Sequence, residues 1–138
     1  SLTLRDGQDA TIIAIGGRVA AAVQAADQLA ADEGISVRVI SMVSIKPLDG
    51  EAVLHAARET GGLVVVEDHN RYGGVGSAVA ELLAAHRLGP LEQVAVPDTF
   101  AESGETDELY QKYRLTTSDI AAAVRTVMLR RDHLETER

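Results

Sequence analysis

The feature that most constrains this chain is an alternation. Four short apolar runs, "ATIIAIG" (10–16), "SVRVISM" (36–42), "LVVVED" (63–68) and "EQVAVP" (92–97), are separated by stretches long enough to be helices. The runs are rich in β-branched residues and mostly bounded by glycine, proline or acids, so they read as strands covered on both faces. Strands that alternate with helices of ten or more residues imply βαβ units, parallel pairing and right-handed crossovers. The expected fold is an open α/β sandwich. The leading "LTLRDGQD" adds a short strand, with Asp6 and Gly7 suited to a hairpin turn.

The intervening stretches carry helical signals. In "RVAAAVQAADQLAADEG", Val19, Ala22, Val23, Ala26 and Ala30 fall on one face, and Gly34 stands where a C-terminal glycine is expected. Asp49 is placed to cap a second helix that ends near "TGG". A third runs from about Gly76 to His86. The last opens at Thr116, with capping-box spacing to Asp119, and shows Ile120, Ala123, Val124, Val127 and Met128 on one face. Residues 131–138 are expected to fray.

With 138 residues the chain can bury one domain's core and hardly two, so residues 1–130 are read as a single domain. Aromatics are only 3%, so Ala, Val, Leu and Ile must build that core. A net charge of −8 and the lack of a basic stripe argue against nucleic acid as a partner. No apolar run is long enough to span a membrane, and no cysteine is present for disulfides or thiolate metal sites. A cytoplasmic home is the simplest expectation.

Two loops have the glycines that a crevice at the carboxyl edge of a parallel sheet would want. One holds Gly16, Gly17 and Arg18. The other is "EDHNRYGGVGSAVAEL", with Glu67, Asp68, His69, Asn70, Gly73, Gly74, Gly76 and Ser77. Gly74-Val75-Gly76 makes GxG at a helix start, where free amides can hold a phosphate or carboxylate. The dinucleotide fingerprint is incomplete, because Val79 replaces its third glycine, and no Walker lysine is present. Glu67 and Asp68 would also oppose an anion. The plainer reading is a corner for close backbone approach, with Gly74 expected to permit positive φ.

Glu67, Asp68 and His69 could form an acid, base and orienter set. Alternate side chains on a strand point opposite ways, however, so the three cannot all converge, and capping or bridging is the better expectation. His55, His86 and His133 are read as solvated, without a second ligand at i+3 or i+4, and a metal site is unsupported. Glu102 and Ser103 lack a nearby histidine and a nucleophile elbow, so Ser103 is assigned to helix capping. On the residues alone, this is an acidic α/β domain with a glycine-lined edge and no self-contained catalytic set.

Taken in order, "ATIIAIG", "ISVRVI", "KPLD", "VVVEDHN" and "GGVGSAVAE" resemble the C-terminal domain of the transketolase-like thiamine diphosphate enzymes, from Asp9 to about Met128. The run "VPDTFAESGETDELYQKYRLT" resembles the "FGESG…ELL…YGLT" segment of transketolases, especially those encoded as two half-length subunits; Ala101 and Arg114 replace glycines of that segment. The resemblance implies a three-layer α/β/α domain with a five-stranded, mostly parallel sheet. Its antiparallel first strand would pair elsewhere than in a simple hairpin. It also implies a homodimeric parent enzyme that moves a two-carbon ketol unit between sugar phosphates. Thiamine diphosphate and Mg²⁺ would be bound by aminopyrimidine- and diphosphate-binding domains outside this chain, so no catalytic, cofactor or metal residue carries over and the isolated chain is expected to be inactive. Its role would be to support domain and dimer contacts. The alternatives are deoxyxylulose-phosphate synthase, a 2-oxo acid dehydrogenase β subunit, or a stand-alone anion- or partner-binding module.

Overall fold

The structure, a computed structural model, describes residues 1–138. Its strands are β1 (Leu2–Arg5), β2 (Ala10–Ala14), β3 (Val37–Ser41), β4 (Leu63–Asn70) and β5 (Leu91–Val96). Its helices are α1 (Val19–Glu33), α2 (Gly50–Thr60), α3 (Val75–Ala85), α4 (Thr106–Lys112) and α5 (Thr117–Thr136), and a 3-10 turn spans Gly16–Arg18. The sheet order is β1-β3-β2-β4-β5. β2 through β5 are mutually parallel and β1 runs antiparallel to β3.

Because alternate strand residues face opposite ways, the sheet feeds two cores. Ile12, Ala14, Val37, Val39, Val64 and Val66 pack under α1 and α5. Ile13, Ile40, Leu63 and Val65 pack under α2 and α3. The three-layer sandwich is as expected. No helix is long and apolar enough to cross a membrane.

The caps follow the sequence signals closely. Asp49 accepts from the Ala52 amide at 3.2 Å, Gly34 closes α1 in the left-handed conformation, and the Thr116–Asp119 capping box is formed in both directions.

Some local readings need correction. Asp6-Gly7 is not a hairpin turn between β1 and β2, since β1 pairs with β3 instead. The chain crosses over the start of β3 there, and a Cβ on Gly7 would strike the backbone of Val37 and Arg38. The buried face of α1 is Ala21, Ala22, Ala25, Ala26 and Leu29, rotated from the predicted stripe. An alanine-rich helix offers several nearly equivalent faces, and packing against α5 chooses among them.

The tail expected to fray is helical to Thr136. Arg131 anchors it by donating to the carbonyls of Asp9 and Thr60. Ser103 caps nothing, because α4 begins at Thr106 behind Glu105, whose side chain makes no cap bond either. His55 and His133 each do have an acid at i+4, Glu59 and Glu137, at 3.2 Å. These are exposed pairs, and no three potential metal ligands converge anywhere.

Candidate functional site

Because β2 to β5 run parallel, the turns that follow them all emerge at one edge of the sheet. Both predicted glycine loops lie there. The crossover from β2 runs to the α1 face and that from β4 to the α3 face, so β2 and β4 flank the topological switch point.

β4 divides the predicted site residues between the two faces. Glu67 points toward α3 and is 1% exposed. Its carboxylate accepts from the amides of Gly76 at 2.6 Å and Val75 at 3.2 Å, the otherwise unpaired donors of the first turn of α3. A carboxylate at a helix N-terminus is favoured by the hydrogen bonds and by the helix dipole together. Glu67 therefore occupies the position that the GxG signal offered to a phosphate. The cap comes from eight residues before Val75, the first residue of α3, because the N-cap position itself is Gly74 and has no side chain to supply one.

Gly74 is extended, at φ −97° and ψ −160°, so its value is not the positive φ expected of it. A Cβ there would lie 2.7 Å from the Glu67 carboxyl carbon and 3.0 Å from Nδ1 of His69. Close approach is thus the requirement, and it is to the side chains of Glu67 and His69 rather than to the backbone that was expected there. The positive φ in this loop belongs to Gly73, at +80°. Gly76 serves a second approach, since a Cβ on it would meet Oε1 of Gln93 on β5 at 2.6 Å.

The rest of the loop ties itself together. The Tyr72 amide donates to Oδ1 of Asn70 at 3.0 Å and the Gly73 amide to Oγ of Ser77 at 2.9 Å; that hydroxyl donates to the Arg71 carbonyl at 3.2 Å. His69 donates from Nδ1 to the Asn70 carbonyl at 2.8 Å, and the same nitrogen lies 3.7 Å from the Glu67 carboxylate.

Asp68 points to the opposite face. Tyr110 on α4 donates to it at 3.4 Å, and a Cβ on Gly17 would come within 3.2 Å of both groups. The Arg18 guanidinium stacks 3.3 Å from the centre of the Tyr110 ring and donates to the Leu115 carbonyl at 2.8 Å. Gly16, at φ +61°, turns the chain toward Asp68. A cavity of about 230 Å³ beside Asp68 is lined mainly by apolar groups, including Val96, Leu109, Tyr113 and Leu115, and by none of Gly73–Ser77. The Gly16–Arg18 loop thus meets β4 at Asp68, whereas the Gly73–Ser77 loop meets it at Glu67 on the other face. Glu67, Asp68 and His69 fail to converge, as the alternation of strand residues required.

Sequence reasoning passed over several residues at this edge. Val43 is 74% exposed, Tyr72 65% and Phe100 fully exposed; Ile45 is also open to solvent. They follow β3, β4 and β5, and all stand outside the periodic apolar patterns, which is the signal that could have found them. Tyr110 was also missed, although two tyrosines three apart in a chain with three in all were visible.

Comparison with known proteins agrees with this geometry. Residues 1–120 match the family described as "Transketolase, C-terminal domain". The chain is 43% identical to the 6-deoxy-6-sulfo-D-fructose transketolase subunit SqwH of Clostridium sp. (strain MSTE9), covering 94% of itself and 40% of that protein. It is 42% identical to the 1-deoxy-D-xylulose-5-phosphate synthase of Heliobacterium modesticaldum, covering 88% of itself and 19% of that protein.

Among solved structures, one titled "Split gene transketolase, inactive beta4 tetramer" superposes with a TM-score of 0.86 at 43% identity over 93% of this chain and 42% of that one. The transketolase from Leishmania mexicana shares the fold, with a TM-score of 0.68 at 22% identity, covering 94% of this chain and 18% of that one. The chain thus spans two-fifths or less of the curated relatives named here. With a family match over residues 1–120 and a five-stranded mixed sheet that superposes on a split transketolase at 43% identity, the chain belongs to the transketolase C-terminal domain family.

Proposed function

We propose that this chain is the C-terminal, domain- and dimer-supporting part of a thiamine diphosphate-dependent transketolase that transfers a two-carbon ketol unit between sugar phosphates in the cytoplasm. The observation that carries the supporting role is the Glu67 cap. The glycine loop spends its free amides on the chain's own carboxylate, while Tyr72, after β4, and Phe100, after β5, stand exposed. Large apolar side chains gathered at one edge favour burial against another domain or subunit.

Thiamine diphosphate supplies the carbanion chemistry in such enzymes, and protein supplies placement and proton transfer. The residues of this chain do not fit the cofactor. Glu67 would repel a diphosphate at α3, where its carboxylate already takes the amides of Val75 and Gly76. The cofactor and its metal are assigned to the aminopyrimidine- and diphosphate-binding domains, with which this chain would pair. The isolated chain is then inactive and does not bind thiamine diphosphate with Mg²⁺.

A second reading, deoxyxylulose-phosphate synthase, is favoured by identities of 42% to 44% to such enzymes. Split transketolase is preferred because of the transketolase-like run around Glu102 and Ser103 and the match to subunits covered over 40% and 37% of their lengths. The test is reconstitution with the missing domains. Ketol transfer among pentose phosphates supports the transketolase reading, whereas condensation of pyruvate with glyceraldehyde phosphate in its place assigns the synthase.

A further inference from the structure

At the opposite edge of the sheet, where β4 and β5 begin, a cavity of about 280 Å³ is lined by Arg58, Arg87, Arg131 and Arg138, with Glu135 as the one acid. Ala57, Leu88 and Leu134 supply its apolar wall. Four guanidinium groups around one hollow call for explanation in a chain whose net charge is −8.

The state of those arginines is more informative than their number. Of the 13 basic side chains, most are spent within the protein, in ion pairs or, for Arg18, on a carbonyl and an aromatic ring. Lys46, Arg58, Arg71, Arg87 and Arg138 alone have no such side-chain partner, and three of these five line this cavity. Arg131 is different. It donates to the carbonyls of Asp9 and Thr60 and pairs with Asp132, and its stem passes over Gly61, where a Cβ would lie 2.7 Å from its Cδ. It is a fixed part of the lining, beside three guanidiniums whose donors are unused.

The plain role of Arg58 and Arg87 is to complement the negative ends of α2 and α3, since Arg58 lies in the last turn of one and Arg87 just beyond the other. Neither guanidinium donates to a helix carbonyl, so that role leaves the side chains' hydrogen-bonding capacity free. Arg87 also sits at φ +56°, just past the end of α3, where glycine would be relaxed and an L side chain is strained. A strained residue with an unspent charge points to a use for that charge.

We infer that this cavity binds the phosphate group of a small molecule. Arg58 and Arg87 would donate paired N–H groups to the phosphate oxygens, as guanidinium geometry allows. Arg131 would add fixed positive potential, Arg138 would close the outer side, and Glu135 would disfavour a more extended polyanion. The site lies far from the α3 cap and does not depend on the transketolase reading.

The test is titration of the 138-residue chain with inorganic phosphate and separately with glycerol 3-phosphate, at constant ionic strength, by calorimetry and amide chemical shifts. Saturable binding with a dissociation constant of about 1 mM or tighter is expected, with shifts at residues 58, 87 and 134. Equal affinity for the two probes identifies free phosphate as the ligand class; tighter binding of the ester identifies a phosphate monoester whose carbon body meets Leu88 and Leu134.

Arg87→Gly should weaken binding about tenfold while leaving the fold intact, because it relieves the left-handed strain; Arg58→Ala should do the same. Non-saturable titration, equal response to chloride, or affinity unchanged in both variants would overturn the site.

Discussion

The Glu67 cap can be tested by removing its charge and its space separately. In Glu67→Gln one acceptor remains for the α3 amides, but the carboxamide turns an NH₂ group toward the other N–H. A buried hydrogen bond to a charged group is worth about 1.5–3 kcal/mol, and the lost helix-dipole term adds about 0.3–1 kcal/mol. Glu67 is 1% exposed, so water offers little compensation. The expected loss is about 2–4 kcal/mol, a large part of a typical domain's stability. In urea this moves the midpoint down by about 1–2 M.

Gly74→Ala attacks the same cap from the other side. The extended backbone of Gly74 accepts an alanine without strain, but its methyl group would occupy the space of the Glu67 carboxylate. The two changes therefore share one mechanism. Their double-mutant cycle should show the combined loss smaller than the sum by at least about 1 kcal/mol, because the second change strikes a cap already broken. Urea unfolding of the four proteins followed by circular dichroism measures this, and hydrogen exchange at Val75 and Gly76 localises it. Additivity within about 0.5 kcal/mol, or unchanged exchange at those amides in Glu67→Gln, would refute the cap as the source of the stability.

Three further outcomes are expected. Arg114 sits at φ +59° just after α4, at the position where the related transketolase segment has glycine, so Arg114→Gly should raise stability by about 0.5–1 kcal/mol in thermal unfolding; a loss would mean that its 3.8 Å approach to Asp119 outweighs the strain. The Arg125 guanidinium holds the Glu33 carboxyl below its usual range, so the contribution of this α5–α1 clamp is present above the unfolded carboxylate pKa and lost as pH falls through the lower folded value. The acid-side fall in melting temperature should accordingly be shallower in Arg125→Gln, and identical profiles would remove the clamp from the account. Changing both Tyr72 and Phe100 to Ser should leave the melting temperature nearly unchanged but weaken co-purification with the missing domains; equal assembly would sink the interface reading.

Much of the architecture was legible because it rests on local periodicity. Strands 63–68 and 92–97, the Asp49 cap and the Thr116–Asp119 box all appear within a residue or two of their predicted places, or two residues short in the case of β4, which runs on to Asn70. The split of Glu67 from Asp68 also followed from strand alternation alone. The candidate site was less legible. All its named residues were in view, but their partners were not: that Glu67 meets the α3 amides and Asp68 meets Tyr110 is a matter of packing.

What the sequence by itself determined was the set of elements, the doubly covered sheet and the incompatibility of "EDHNRYGGVG" with a nucleotide fingerprint, since these depend on neighbours a few residues apart. Tertiary structure decided the rest. Only packing placed β1 against β3 across Gly7, rotated the buried face of α1 against α5, and set four arginines, from α2, α5 and the segments that follow α3 and α5, around one hollow. The Glu67 cap lies between the two cases. Its acid and its glycines are adjacent in sequence, but the carboxylate reaches the α3 amides only because β4 and α3 are packed face to face, with a missing Cβ at Gly74 between them.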